Sequence, residues 1–301
     1  MAAVVVLAGG SGGAKLARGM LDAADELTVI ANTADDIEIY GAYVSPDPDL
    51  CSFWLADRID ERGWGLRDDS FAVMDGLREL GVDIWFQLGD RDLAIGIQRA
   101  RRLQEGARLT DALDELGRAL GLRARVLPMS DEPVRTWVLV DDRWMAFQEF
   151  MIRAGASGAI QDTVLRGIDE ARPTPEVLAA IASADAIVIG PSNPVISIGP
   201  ILAVAGMRQA LIDSRAPVVA VSPLVGGAAI KGPTEAFMTW AGHPLSAAGI
   251  ASCYEGLIDG IVADEPAGDA VAQLRTDTLM GDADDRLQVA EQTLRFAGAL
   301  A

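Results

Sequence analysis

The chain begins on an unbroken apolar run, Val4 to Ala8, that stops at a glycine turn, and a segment of helical period from Gly13 to about Ala24 leads to a second apolar run, Thr28 to Ala31. Short apolar runs with no alternation are strands buried on both faces, as in a parallel sheet. The opening is therefore a βαβ unit. From Ser52 to Leu120 the period becomes mainly helical, with Phe71-Val73-Met74-Leu77-Leu80, then Leu93-Ile97, then Leu109-Leu113-Leu116-Leu120. This predicts a helical insertion over about 52–122 between core segments 1–50 and 123–301, all within one domain of 1–301.

Arg125 to Met129 and Thr136 to Val140 read as strands, Asp141-Asp142 as a hairpin turn, and Trp144 to Ile152 as the return strand. The βαβ rhythm then resumes, with a helix Glu176 to Ser183, a strand Ala186 to Ile189, a helix Ile201 to Asp213 and a strand Val218 to Val221. Helices around Thr234 to Ala241 and Ser246 to Glu255, a strand Gly260 to Ala263 and a closing helix Asp285 to Leu300 complete the pattern. The expected fold class is α/β, a mostly parallel sheet with helices on both faces. In open α/β sheets ligands lie outside the carboxyl ends of the strands. The glycine turn, Pro191-Ser192-Asn193-Pro194 and the segment from Ser222-Pro223 to Gly232-Pro233 should converge there.

Composition mainly excludes. Half of the 301 residues are apolar, enough for a large core, and the formal charge of −19 argues against a nucleic-acid partner, which needs a basic footprint. The two cysteines, Cys51 and Cys253, have neither metal spacing nor a disulfide framework, so a reducing, cytoplasmic setting is expected. The apolar start lacks a basic leader, and no apolar run has the roughly 18–20 residues of a membrane span.

The candidate chemistry sits in polar breaks of the pattern. Gly9-Gly10-Ser11-Gly12-Gly13 with Lys15 places bare N–H groups at a helix N-terminus, which suits a phosphate. It matches neither the dinucleotide fingerprint, whose last small residue falls on Lys15, nor the Walker pattern, which needs Gly-Lys-Ser/Thr. A tight turn of any α/β protein accounts for the glycines as well. Asp35, Asp36, Asp47 and Asp49 fall within fifteen residues. If they share a small volume they need a counter-charge such as Mg2+; spread along a solvated loop, they need none. Asp90, in Gly89-Asp90-Arg91-Asp92, fits a helix cap or a catalytic acid. Lys231, flanked by Gly226-Gly227 and Gly232, fits a phosphate clamp or a surface lysine, and Ser192 and Asn193 fit the polar edge of a nucleotide or a plain loop. His243, the sole histidine, stands in a Gly-His-Pro turn with no nucleophile motif to serve. Trp64, between two glycines, fits either core packing or stacking on a flat ring.

Taken in order, the glycine turn, Asn32-Thr33-Ala34-Asp35-Asp36, Val44-Ser45-Pro46-Asp47-Pro48-Asp49, Arg62-Gly63-Trp64-Gly65, Leu88-Gly89-Asp90-Arg91-Asp92-Leu93-Ala94, Phe147-Gln148-Glu149, Gly190-Pro191-Ser192-Asn193-Pro194 and Ser222-Pro223…Lys231-Gly232-Pro233 resemble the 2-phospho-L-lactate transferases of coenzyme F-420 biosynthesis, phosphoenolpyruvate transferases included. The resemblance covers nearly the whole chain. It implies a Rossmann-like fold with a helical insertion, a homodimer, and magnesium-dependent transfer of 2-phospho-L-lactyl or enolpyruvyl phosphate from a guanosine diphosphate-linked donor to the deazaflavin FO, with release of GMP. It also implies roles: Asp35, Asp36 and Asp49 as the catalytic residues, with Asp36 and Asp49 on Mg2+ and Asp35 supporting the metal or orienting the hydroxyl; and Gly9, Gly10, Gly12, Gly13, Lys15, Ser192, Asn193, Ser222, Gly226, Gly227 and Lys231 on the nucleotide. Asn32, Asp49, Trp64 and Asp90 would face the acceptor. The chain departs from the family pattern at Ala34, Pro48, Leu50, Phe53, Ile95 and Gly96. A second reading is a nucleotide-sugar-binding regulator resembling the related gluconeogenesis-factor family, which lacks Asp49 and the Gly89–Asp92 block.

Overall fold

Seven strands form one wholly parallel sheet in a computed structural model that describes residues 2–230 and 232–301. The first half of the chain runs β1 (Ala3–Ala8), α1 (Gly10–Ala23), β2 (Glu26–Ala31), a hairpin of β3 (Ile37–Ile39) and β4 (Ala42–Val44), then α2 (Pro46–Leu55), α3 (Ala72–Glu79), α4 (Asp90–Gln104), α5 (Leu109–Leu120) and β5 (Arg125–Pro128). Next come β6 (Arg135–Val140), β7 (Arg143–Ala146), α6 (Phe147–Ile152), β8 (Ile160–Arg166), α7 (Pro175–Ser183) and β9 (Ala186–Ile189). A π-helical turn (Pro194–Ile198), α8 (Gly199–Ala203), α9 (Met207–Ile212), β10 (Val218–Val221), the short pair β11 (Leu224–Val225) and β12 (Ala228–Ala229), α10 (Thr234–Trp240), α11 (Ala247–Cys253), β13 (Gly260–Ala263), β14 (Ala272–Arg275) and α12 (Ala283–Leu300) follow. The sheet order is β14-β13-β10-β9-β1-β2-β5. The connection from β2 to its neighbour β5 carries the β3–β4 hairpin and α2 to α5.

The apolar runs bury both faces because successive side chains point to opposite sides. Val5, Leu7, Ile30, Leu127, Ile187, Ile189, Val218, Ala220 and Ile261 pack with α7, α9 and α11 on one face. Val4, Val6, Ala8, Val29, Ala31, Val126, Val188, Val219, Val221 and Val262 pack with α1, α2 and α12 on the other. A second, antiparallel sheet of order β7-β6-β8 flanks the core. Its hairpin turns on Asp141 and Asp142, both at positive φ, the geometry of the type I′ turns that suit strand twist.

Several elements differ from the sequence expectation. The return strand stops at Ala146, and 147–152 coils into α6 because Phe147 and Phe150, one turn apart, pack against Phe237 of α10. The helix expected over 201–213 is broken between α8 and α9, where Gly206 takes φ 93°. Strands β8 and β14 lacked a signal because most of their residues are exposed and polar.

The glycines of the first turn solve a packing problem. Helix α1 starts hard against the loop after β9: a Cβ on Gly12 would lie 2.0 Å from the Pro191 carbonyl oxygen, and one on Gly13 would lie 2.7 Å from the Ser192 hydroxyl. Only Gly10 needs its conformational freedom, at φ 68°. Overpacking of this kind costs about 1–3 kcal/mol. Gly12→Ala is expected to lower the urea midpoint accordingly, and an unchanged midpoint would show that the loop yields freely.

Candidate functional site

The carboxyl ends of β1 and β2 are tied together by Asp47. Its carboxylate accepts from the Gly10 backbone N–H (2.7 Å) and from the Asn32 side-chain amide (3.0 Å). Asn32 is fully buried, and its own carbonyl oxygen accepts from the Ala34 N–H. Asp47 and Asp49 stand in the first turn of α2, where the helix dipole favours negative charge, and Pro46 and Pro48 are tolerated there because those N–H groups have no intrahelical acceptor. Ser45, just before that helix, directs its hydroxyl away from the helix to Asp36 (2.8 Å).

Asp35, Asp36 and Asp47 are all buried, at 6%, 3% and 6% exposure, so this is not a solvated loop. One oxygen of Asp35 and one of Asp36 have no hydrogen-bond partner. Burial, then the nearby Asp47 and Asp36, hold the Asp35 carboxyl well above the usual carboxylate range, and burial likewise raises Asp47. Burial pushes Asp36 up to about 7 against the opposing pull of Arg135, the Ser45 hydroxyl and Arg99. A cavity of about 200 Å3 borders the two acids, lined also by Arg135, Trp137, Phe147 and Gln148. Gln148 donates to the Asp35 backbone carbonyl, and Arg135 donates to the Tyr43 hydroxyl.

Arg99, on α4 of the insertion, is 3% exposed. It grips Asp49 through both of its terminal nitrogens and also donates to the Tyr43 carbonyl (3.0 Å). Asp36 lies within its field too. Neither Arg99 nor Arg135 had a sequence signal, since an arginine in a helix or strand reads as surface until its burial is known.

Other candidates have different surroundings. Gly9 N–H donates to the Ser192 hydroxyl (3.2 Å), so with Gly10 committed to Asp47 the first-turn amides left without an intrahelical acceptor are those of Ser11 and Gly12. Lys15 turns toward α12, where its ammonium donates to the Met280 carbonyl and lies 5.8 Å from the Trp54 ring centroid. Asn193 caps the π-helical turn with its carbonyl oxygen, while its buried amide nitrogen has no partner. Ser222 is buried at the end of β10 and accepts from the Leu224 N–H. Gly226 donates to Asp264, and Gly227 takes φ 76° in the same hairpin turn. Lys231 lies outside the described residues.

Asp90 caps α3, accepting from the Ser70 hydroxyl and the Ala72 and Val73 amides, while Asp69 reciprocally accepts from the Arg91 and Asp92 amides that start α4. Trp64 carries the Arg62 guanidinium on its face at 4.4 Å. Both residues belong to the inserted segment and make none of these contacts with Asp35, Asp36 or Asp47.

Among the described residues no group of three or more Asp, Glu, His or Cys side chains is spaced to hold a metal ion. The orphaned oxygens of Asp35 and Asp36 nevertheless fit a hard cation of the Mg2+ type, which takes one or two carboxylates and completes its shell with water and substrate phosphates. Asp49 also fits, because the Arg99 contacts occupy only part of a carboxylate's acceptor capacity.

A doubly covered parallel sheet whose strand ends gather an incompletely bonded helix start, buried carboxylates and an adjoining cavity defines an α/β protein that handles a ligand at its carboxyl rim. The chain belongs to the family of 2-phospho-L-lactate transferase CofD, whose model matches residues 4–294, and it is accordingly a transferase. It is 38% identical over 299 residues to the 2-phospho-L-lactate transferase of Methanosarcina mazei, covering 96% of this chain and 98% of that one. It is 40% identical over 311 residues to the phosphoenolpyruvate transferase of Streptomyces griseus, covering 98% of each. A crystal structure of a UPF0052-family protein from Bacillus halodurans shares the fold, with TM-score 0.64 and 18% identity over 98% of this chain and 99% of that one. No helix among the described residues is long and apolar enough to cross a membrane.

Two outcomes follow from the geometry. Removing one partner of a buried ion pair costs about 3–5 kcal/mol because the other charge stays buried. Arg99→Met is expected to lose stability on that scale in urea denaturation, and adding Asp49→Asn to recover part of it; no recovery would mean that the pair is not what holds α4 down. Asp36, ionising near pH 4 when unfolded, keeps its proton up to about pH 7 when folded. The folded state thus holds more protons between those limits, and stability falls as pH rises through them. Asp36→Asn is expected to raise the melting temperature at pH 8 by several degrees and to leave it unchanged at pH 4, and the same gain at both pH values would contradict the assignment.

Proposed function

We propose that this transferase moves a phospho-three-carbon-acid group, 2-phospho-L-lactyl or enolpyruvyl phosphate, from a guanosine diphosphate-linked donor to the ribityl hydroxyl of the deazaflavin FO and releases GMP. The observation that carries this reading is the buried pair Asp35 and Asp36, each with an unpartnered oxygen, at the wall of a cavity that is linked to the start of α1 through Asn32 and Asp47. The names of the relatives, one a 2-phospho-L-lactate transferase and the other a phosphoenolpyruvate transferase, agree with it.

Phosphoryl-type transfer asks a protein mainly for positioning and charge neutralisation. The acceptor hydroxyl oxygen bonds to the distal phosphorus of the donor, the bond from that phosphorus to the bridging oxygen breaks, and GMP leaves with the electron pair. The hydroxyl proton goes to a carboxylate. Asp35 suits that role, since burial raises its proton affinity and its free oxygen leaves room for the bond. Mg2+ held by Asp36 and Asp49 would neutralise charge on the transferred phosphate. Arg99, bonded to Asp49 and within the field of Asp36, keeps Asp49 oriented with or without the ion. Asn32 holds Asp47, and through it the Gly10 amide, in place. The flat walls of Trp137 and Phe147 beside the acids suit an aromatic acceptor ring. The reading places the enzyme in the cytoplasm as a homodimer.

Incubation with FO, Mg2+ and each guanosine diphosphate-linked three-carbon acid should release GMP and form the phosphodiester detected by mass spectrometry. Asp36→Asn should lower turnover by at least a hundredfold. GMP formation that survives this substitution, or that no such donor supports, would overturn the reading.

A further inference from the structure

Across the sheet from β1, the strand ends follow in the order β1, β9, β10, β13. At a strand spacing of about 4.8 Å the end of β13 lies about 14 Å from the glycine turn. A nucleoside diphosphate laid over the strand ends covers that span. The polar groups along this row change character. At β1 there are the open amides of Ser11 and Gly12, and at β9 the unpartnered, buried amide nitrogen of Asn193, all of them donors. At β10 stands the Ser222 hydroxyl, already accepting from Leu224 N–H and free to donate. Beyond β13, Asp264 closes the row as an acceptor. Its Oδ2 takes the Gly226 N–H at 2.5 Å, and its Oδ1 is buried with no hydrogen-bond partner.

A buried carboxylate oxygen without a donor is costly and calls for one. Phosphates belong at the donor end of the row, so the acceptor end meets the base. Among the common bases only guanine presents two adjacent donors, N1–H and the 2-amino group, that match a carboxylate; adenine turns an acceptor toward the same place. We infer that Asp264 reads the Watson–Crick edge of guanine and is the residue that makes the donor site selective for guanosine. Each carboxylate oxygen has two acceptor positions, so the bond from Gly226 and the pair to guanine coexist. The β11–β12 hairpin, tethered to the same carboxylate through Gly226, is the cover of this subsite. Glu265 beside it accepts from the Ala247 amide at the start of α11 through one oxygen.

The inference rests on the guanosine diphosphate donor proposed above, and it is tested by binding alone. The wild-type protein should bind GDP at least tenfold more tightly than IDP, which lacks the 2-amino group, and more tightly than ADP, UDP or XDP in calorimetric titrations. Asp264→Asn exchanges one acceptor for a donor and should weaken GDP at least tenfold while strengthening XDP, whose 2-oxo group accepts from the new amide. A gain of XDP binding is a result that a misfolded variant does not produce. Equal wild-type affinity for GDP and IDP, or a variant with wild-type preference for GDP over XDP, would overturn the assignment of Asp264 and leave the donor reading standing. A wild-type protein that binds UDP and not GDP would overturn both.

Discussion

The rim depends on burying three carboxylates, Asp35, Asp36 and Asp47, within reach of one another. Ionised acids repel and resist desolvation, so such a cluster persists only where other groups offset it. Asp47 is held by two donors, the Gly10 amide and the Asn32 side chain, and these same bonds join the start of α1 to the end of β2. Asp36 has the Ser45 hydroxyl and the fields of Arg135 and Arg99. Asp35 has the least help on its side chain and the largest penalty. The residual charge deficit makes the rim a place where a cation, a proton or a polarised hydroxyl is welcome, and it explains why the acids lie beside a cavity instead of within the core.

The inserted helices serve this constraint. Without α4 there is no Arg99, and without Arg99 the Asp49 carboxylate at the start of α2 has no fixed counter-charge. The insertion is fastened in turn by short-range chemistry of its own: Asp90 caps α3 while Asp69 caps α4, a reciprocal arrangement that orients the two helices without a large core. Its internal apolar cluster is small, built on Ala42, Val44, Met74, Leu88 and Leu93, with β4 as the floor. The β3–β4 hairpin thus lies between the helices and the acids, and Tyr43 connects them, receiving Arg99 on its carbonyl and Arg135 on its hydroxyl.

The central sheet was legible because unbroken apolar runs have one physical meaning; β9, β10 and β13 lie where the pattern placed them. Elements whose stability comes from distant partners were not: α6 is helical on account of Phe237, and β14 is a strand because β13 offers it a parallel edge. The acids Asp35, Asp36, Asp47 and Asp49 were visible as a cluster, but which were shielded was not. That depends on Arg99 and Arg135, fifty and about a hundred residues further on, and no local spacing announces such a pairing. Of the two readings of the glycine turn, the structural one has a physical basis in the closeness of Pro191 to Gly12 and of Ser192 to Gly13, which a local sequence pattern cannot announce.

The distribution of charge along the rim reconciles the strongly acidic chain with the phosphorylated donor proposed for it. A net charge of −19 repels a polyanion at long range, yet a small phosphorylated ligand of the proposed kind would be held by groups closer than the roughly 8 Å screening length, where local groups decide. On the β1 and β9 side those groups are donors with no competing carboxylate, because Asp47 has turned its charge inward to Gly10 and Asn32. On the β2 side they are the acids with the buried Arg99 and the half-buried Arg135 behind them. On the proposed function, a phosphate drawn to the donors would meet carboxylates that it can approach only with a cation between, and the reacting phosphorus would lie at the boundary between the two sets of groups. The fold reaches that boundary through Asp47, which makes this residue, more than the glycines beside it, the one on which the site is built.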